Sequence, residues 1–128
     1  MSYQSDIYEA IKASAPLTAL IGDRFFWDVA DSSTTTPYIV AQTVSNDGET
    51  DFDGFRDVSF PLIQFSAWAK TKQDAIEIMS KFRTGLEGRN LPGASDVSLS
   101  FAGEQSTRDP VTKLYGEIID YRASTNTN

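Results

Sequence analysis

Between Val58 and Ala69 the chain alternates for twelve residues, with Ile63, Phe65 and Ala67 on one side and Leu62, Gln64, Ser66 and Trp68 on the other. A period of two is the mark of a strand with two unlike faces. Pro61 cannot donate a ladder hydrogen bond, so the sequence puts the first part of this strand at a sheet edge or a bulge. Thr71 with Asp74 three residues on then makes a capping-box-like start. Ala75, Ile78, Met79, Phe82 and Leu86 follow at helical spacing, and the helix is expected to end near Gly88. A long strand passing at once into an amphipathic helix requires a sheet with a helix lying on one face.

The remaining segments supply more of both. Ser5, Asp6 and Glu9 read as an N-cap and an acidic first turn, with Ile7, Tyr8, Ile11 and Ala15 forming an apolar stripe. Pro16 stops that helix and can open a short second one, Pro16–Ile21, closed by Gly22. Arg24–Val29 is aromatic and β-prone, and a Ser/Thr-rich loop, Asp31–Pro37, leads to a strand over Tyr38–Val44. Beyond the Gly88–Gly93 turn, strands are expected over Val97–Phe101 and Leu114–Ala123, with 124–128 as a flexible tail. There is no internal repeat. The expected fold is one α+β domain over residues 1–128, in the order α-β-β-β-α-β-β, with a single mostly antiparallel sheet and helices packed on one face.

With 128 residues the chain can bury a core without staples. Its chemistry is narrow, because it contains neither Cys nor His. That excludes disulfides, zinc thiolate sites, Ser–His–Asp and Cys–His nucleophile systems, and the usual general base near neutral pH. No nucleotide-binding glycine loop, nucleophile elbow or Ser-x-x-Lys occurs. Carboxylate-pair chemistry stays formally open, although a domain this small offers little room for the cleft it needs. No cofactor is expected. A net charge of -7 should repel nucleic acid and anionic membranes, and no basic patch offsets it. No apolar run approaches a bilayer span and the first residues are unlike a signal peptide, so the chain is expected in the cytosol where it is made.

The charge is concentrated. Asp47-Gly-Glu-Thr-Asp-Phe-Asp-Gly-Phe-Arg-Asp57 carries five acids and one Arg, a net charge of -4 in eleven residues. Asn46-Asp47-Gly48 has hairpin-turn chemistry, so one reading is a solvated connection whose charges keep a sheet edge from sticking. Glu49, Asp51, Asp53 and Gly54 also sit at positions 1, 3, 5 and 6 of an EF-hand-like loop, but position 12 is Phe60 where a bidentate Glu is required. The third reading is an electrostatic surface with a partner. Phe52 and Phe55 have no local core to join, which favours packing on another subunit. The candidate interface residues are Asp47, Glu49, Asp51, Phe52, Asp53, Phe55, Arg56 and Asp57; none is a catalytic or metal-ligand candidate. Trp27, Tyr38 and Trp68 read as core or cross-strand aromatics rather than a stacking platform.

Leu17-Thr-Ala-Leu-Ile-Gly-Asp-Arg-Phe-Phe, Thr36-Pro-Tyr-Ile-Val with Val44-Ser45, Phe65-Ser-Ala-Trp-Ala before a helix with Asp74-Ala75, and Leu114-Tyr-Gly-Glu-Ile-Ile-Asp-Tyr-Arg occur in an order that spans nearly the whole chain. Together they resemble the small tail-completion, or tail-terminator, proteins of long-tailed bacteriophages and prophages. Gln42, where that family more often has an aromatic, and Ala30-Asp31, where a proline commonly follows the alanine, depart from its pattern. The resemblance implies a non-enzymatic virion protein at the head–tail junction, assembled in the host cytoplasm. It implies a hexameric ring that caps the head-proximal end of the tail tube, ends its polymerisation, docks on the head connector and lets double-stranded DNA pass unbound. Acidic stretches lining the lumen would repel the phosphate backbone, whereas outward-facing ones would meet tube or connector. Two alternatives stand beside this: another head–tail or tube component, against which the lack of a long tube-forming hairpin counts, and a small acidic module that masks a basic partner.

Overall fold

The computed structural model describes residues 3–30, 35–50, 57–93 and 97–127, with the backbone alone at 46–50, 57–59, 126 and 127. The elements are α1 (Tyr3–Ala13), α2 (Ala15–Ile21), β1 (Phe25–Trp27), β2 (Tyr38–Thr50), β3 (Asp57–Ala69), α3 (Lys72–Leu86), β4 (Ser98–Arg108) and β5 (Tyr115–Thr127). The strands form one sheet in the order β1-β2-β3-β5-β4. Every neighbouring pair is antiparallel except β1 with β2, where Phe25, Phe26 and Trp27 run parallel to Ile39, Val40 and Ala41. The fold is α+β as expected, with a mixed sheet.

Alternation along the inner strands creates the core. Ile39, Ala41, Ile63, Phe65, Ala67, Ile119, Tyr121 and Ala123 are buried and cluster with Ile7 and Ile11 of α1, Leu17 and Ile21 of α2, and Ile78, Met79, Phe82 and Leu86 of α3. The intervening residues Val40, Leu62, Gln64, Ser66, Trp68 and Ile118 are only partly covered. One face of the sheet is therefore packed under the helices and the other is left half open. At the centre, the Phe65 ring lies 4.6 Å from Phe82 and 5.8 Å from Tyr121.

Local chemistry explains the helix ends. Thr71 Oγ1 accepts the Asp74 backbone N–H at 3.1 Å, the N-cap that the sequence announces. Ser14 precedes α2, Pro16 sits in its first turn, and the Gly22 N–H closes it on the Thr18 carbonyl. The start of α1 differs from expectation. The helix begins at Tyr3, whose hydroxyl meets Thr43 Oγ1 at 2.8 Å, so Ser5 lies within the first turn and Asp6 is buried.

Several sequence expectations need correction. Pro61 lies in β3, the central strand, opposite Asn46, so it does not mark an edge. The bulge is in the facing strand, between Thr43 and Ser45, and Arg122 Nη1 donates to the Phe60 carbonyl at 2.8 Å, next to the missing donor. Asn46-Asp47-Gly48 is not a turn; it is strand, paired with Pro61, Phe60 and Ser59. With 13 residues in each strand, β2 and β3 make a hairpin roughly 40 Å long, so the chain does contain a long hairpin. β4 continues seven residues beyond Phe101 to Arg108, past a bulge at Ala102. β5 runs on to Thr127, and Thr125 is 2% exposed, so 124–127 is strand where the sequence suggests a tail.

The aromatic residues outside the central cluster are structural. Trp27 packs edge-on to Phe25 at 5.8 Å, Tyr38 pairs with Trp68 across β2 and β3, and Phe26 meets Tyr38 at 6.4 Å. The Trp68 ring lies on Gly116, where a Cβ would come within 2.7 Å of Cζ3. That close approach needs glycine.

Candidate assembly surfaces

Three features are candidates for contact: the hairpin arm, the outer edge of β4 beyond Leu99, where the bonds from Gly88 and Leu91 end, and a groove between α3 and β4. The acidic stretch belongs to the arm. Asp47 stands opposite Phe60, Glu49 opposite Val58, and Asp57 between Thr50 of β2 and Thr127 of β5. These three positions are brought together at the far end of β2 and β3. Asp51, Phe52, Asp53, Phe55 and Arg56 lie outside the described residues, and so does most of the EF-hand-like pattern. Among the described residues no group of three or more acids is placed to hold a metal ion.

The groove runs along α3 against the outer strands, with a volume of about 650 Å³. Ile76, Met79 and Ile119 give it an apolar floor, and Arg83, Glu104 and Glu117 give it charge. Arg83 is the hub. Its Nε meets Glu87 Oε1 at 3.0 Å, its Nη1 lies 3.7 Å from Glu104, and its guanidinium sits 4.6 Å over the Phe101 ring. The bond to Glu87 and the neighbouring carboxylates hold it firmly in the charged form. The contact to Glu104 ties α3 to the edge strand, although a partly exposed pair of this kind contributes at most about 1 kcal/mol. Glu117 accepts from the Ser106 hydroxyl at 2.7 Å. The acids of this groove are thus engaged with donors, which suits a docking surface.

Glu87 has a second partner, since the buried Tyr121 hydroxyl donates to its Oε1 at 2.8 Å. Burial, and then the bond to the Glu87 carboxylate, push the phenol well above its ordinary value of 10.0. The sign of the linkage follows. In the unfolded chain the phenol ionises near pH 10 and in the folded chain it stays neutral, so the stability it contributes is complete below pH 10 and falls as pH rises above it. Tyr121→Phe should cost about 1 kcal/mol at neutral pH and flatten the loss of stability above about pH 10. Denaturant midpoints at about pH 8 and about pH 11 check this, and equal alkaline loss in both chains would refute it. The order Arg83 then Glu87 at helical spacing is visible in the sequence; Tyr121 as the third member is not, because β5 reaches α3 only through the tertiary fold.

At the other end of the sheet, Asp109 Oδ1 accepts the Val111 and Thr112 backbone N–H groups at 2.8 and 3.4 Å. Those bonds hold its carboxyl below the usual carboxylate range and fix the β4–β5 turn, which presents Val111 at 87% exposure. No helix among the described residues is long and apolar enough to cross a membrane.

The sequence matches the family described as Tail completion protein gp17 over residues 5–126, and the chain belongs to that family. No curated protein sequence matches it. Among solved structures, a chain of the "Virion of native gene transfer agent (GTA) particle" is similar, with a TM-score of 0.77 over 98% of this chain and 95% of that one. At 19% identity the likeness is one of fold. Family membership points to a structural role in a phage-like tail.

Proposed function

We propose that copies of this chain form a ring, hexameric by family resemblance, that caps the head-proximal end of a tail tube. The ring ends tube polymerisation and docks on the head connector, placing the protein at the head–tail junction of the particle after assembly in the host cytoplasm. The observation that carries this reading is the family match over residues 5–126. A single open sheet, whose outer strands β1 and β4 each pair with one other strand, is the kind of unit that can close into rings by repeated head-to-tail contact. The acidic arm supplies the electrostatics. It either lines the passage, where its charge keeps DNA from adhering, or meets the tube or connector.

The long β2–β3 hairpin removes one sequence-based objection to a tube role, so another head–tail or tube component is the second reading. Family membership favours the first, and it disfavours a free acidic module that masks a basic protein. Charge reversal at Asp51 and Asp53 tests the arm. Asp51→Lys with Asp53→Lys should leave the fold intact by circular dichroism while the yield of infectious particles drops by about tenfold or more, on the scale of electrostatic effects on encounter. Normal yield would exclude a role for the arm's charge in passage or joining. Size-exclusion chromatography with light scattering separates the classes: ring formation that grows with concentration supports a joining protein, and a monomer that binds a basic partner one to one supports the masking module.

A further inference from the structure

The charge of this chain is sorted along its strands. Five acids fall within Asp47–Asp57, where the net charge is -4, and Asp47, Glu49 and Asp57 stand at the far end of the β2–β3 hairpin. At the opposite end the sheet closes with the row Ala69–Tyr115–Arg108. Lys70 and Lys72 follow Ala69, and Lys113 lies in the β4–β5 turn that begins beside Arg108. With Asp74 and Asp109, that end holds four cations against two acids, a net charge of +2 on a chain of net charge -7. The length of β3, 13 residues, holds the two ends roughly 40 Å apart. The Debye length at physiological salt is about 8 Å, so the two ends of one chain do not neutralise each other.

The cations are available to a partner. All four are exposed, and among the described residues Lys70, Lys72 and Lys113 form no ion pair, while Arg108 lies 5.0 Å over the Tyr115 ring. The acids beside them are engaged. Asp109 accepts the Val111 and Thr112 backbone N–H groups, and Glu117, two residues inside the closing row, accepts the Ser106 hydroxyl. Two of the lysines stand where the backbone favours other residues. Lys72 opens α3, at the end of a helix where its dipole disfavours a cation, and Lys113 has φ +64°, a conformation more readily taken by Gly or Asn. Local folding therefore does not account for either. The turn that carries Lys113 is fixed by backbone bonds between Asp109 and both Leu114 and Lys113, and it presents the exposed Val111 next to the charge.

We infer that this basic end binds a second copy of the chain through that copy's hairpin arm, with Lys70, Lys72, Arg108 and Lys113 of one protomer meeting the acids of residues 47–57 of the next. That stretch also carries Phe52 and Phe55, for which Val111 supplies an apolar contact. Receiving site and arm lie at opposite ends of one sheet, so the contact is heterologous: each copy receives at one end, binds with the other, and the contact repeats until the rotation closes. Complementary potentials of this kind select the partner and its orientation more than they add affinity. The inference deepens the ring reading by naming its subunit contact and rests on that reading. It gives the arm a use besides lining the passage or meeting the tube.

Charge exchange in the full chain tests it, read by light scattering at about 0.05 M salt, where surface charge is weakly screened. Asp47→Lys, Glu49→Lys and Asp57→Lys together bring the arm from -4 to +2, and Lys70→Glu with Lys113→Glu bring the basic end from +2 to -2. Each set alone should raise the concentration for half-assembly by about tenfold or more, because like charges then meet. An equimolar mixture of the two variants should recover assembly, since every contact between unlike copies again joins opposite charges. All five substitutions in one chain should recover it too. Lys12→Glu with Lys81→Glu changes the net charge as the basic-end pair does, away from both ends, and should shift assembly by less than about twofold. An equal loss in that control would mean general repulsion and overturn the proposal. So would failure of both the mixture and the combined chain to assemble while their circular dichroism matches the parent. Closed oligomers formed by both single sets at parental concentrations would overturn the contact and leave the ring, whereas a parent monomeric at every concentration would overturn both. If the parent retains double-stranded DNA and Lys70→Glu with Lys113→Glu abolishes that retention with assembly unchanged, the basic end is a nucleic-acid contact and the proposal falls.

Discussion

Phe65→Ala should lower the stability of this domain by ~3–5 kcal/mol, the range for removing a buried aromatic ring from a core that cannot fully collapse around the gap. Phe65 is 0% exposed, and its ring touches Trp27, Phe82 and Tyr121 at 6.5, 4.6 and 5.8 Å. Three elements converge there: β1 through Trp27, α3 through Phe82 and β5 through Tyr121. Against a total of about 5–15 kcal/mol for a small domain, the loss is large enough to move the thermal midpoint by on the order of 10 °C or more. Val111→Ala is the matched control. At 87% exposure it should change stability by less than about 0.5 kcal/mol. Thermal and urea melts of both variants check the pair, and a Phe65→Ala loss below about 1 kcal/mol would mean that the ring cluster is not the centre of the core.

The second large effect is expected at Gly93. Its φ is +140°, a conformation that side chains rarely adopt, and a Cβ there would run into the carboxyl group of Asp6, itself 2% exposed. Gly93→Ala therefore combines backbone strain of about 1–3 kcal/mol with displacement of a buried charged group from its partners, about 1–3 kcal/mol more. The turn after α3 closes over the first turn of α1, so the damage would reach both helices. A double-mutant cycle separates the two causes. With Asp6→Ala in place the clash disappears and only the strain remains, so the combined loss should fall short of the sum by about 1 kcal/mol or more. Strict additivity would show that Gly93 is required by its backbone angle alone.

Much of the architecture is readable from residue pattern, and the exceptions share a physical cause. Helix α3 is plain in the sequence because Thr71 caps it and its apolar residues face one core. The inner half of β3 is plain because Ile63, Phe65 and Ala67 are wholly buried while Leu62, Gln64 and Ser66 are not. Pattern fades where the sheet leaves the cover of the helices. From Ala102 to Arg108 the edge strand is exposed at nearly every position, so no alternation marks it as strand. The outer part of β2 is similar in composition, and Asn46-Asp47-Gly48 invites a turn that cross-strand pairing overrides. Pro61 allows an edge or a bulge, and only the second has a counterpart here: β3 is an inner strand, the irregularity lies in the facing strand between Thr43 and Ser45, and the Arg122 bond to the Phe60 carbonyl cannot be anticipated from the proline.

The candidate contact surface was legible in charge but not in shape. Composition locates most of the negative charge in one stretch and the structure places Asp47, Glu49 and Asp57 at one end of the hairpin. Composition could not reveal that Thr43 and Phe101, 58 positions apart in the chain, end the same row of the sheet. That relation exists only once four strands are in register.

The strand order also governs when such edges come into being during synthesis. β5, the last strand along the chain, is not added at the rim; it inserts between β3 and β4. A nascent polypeptide emerging from the ribosome can close the β2–β3 hairpin and wind α3, but until residues 115–127 arrive β4 has no strand beside it, only the Glu87–Leu91 segment that bonds Val97 and Leu99. Before that moment β3 is itself a rim and Phe101 lacks Tyr121 beside it. Arrival of β5 is thus the event that converts a sticky, unfinished sheet into a unit with two defined sides, and a chain halted short of β5 would expose β3 to its neighbours instead.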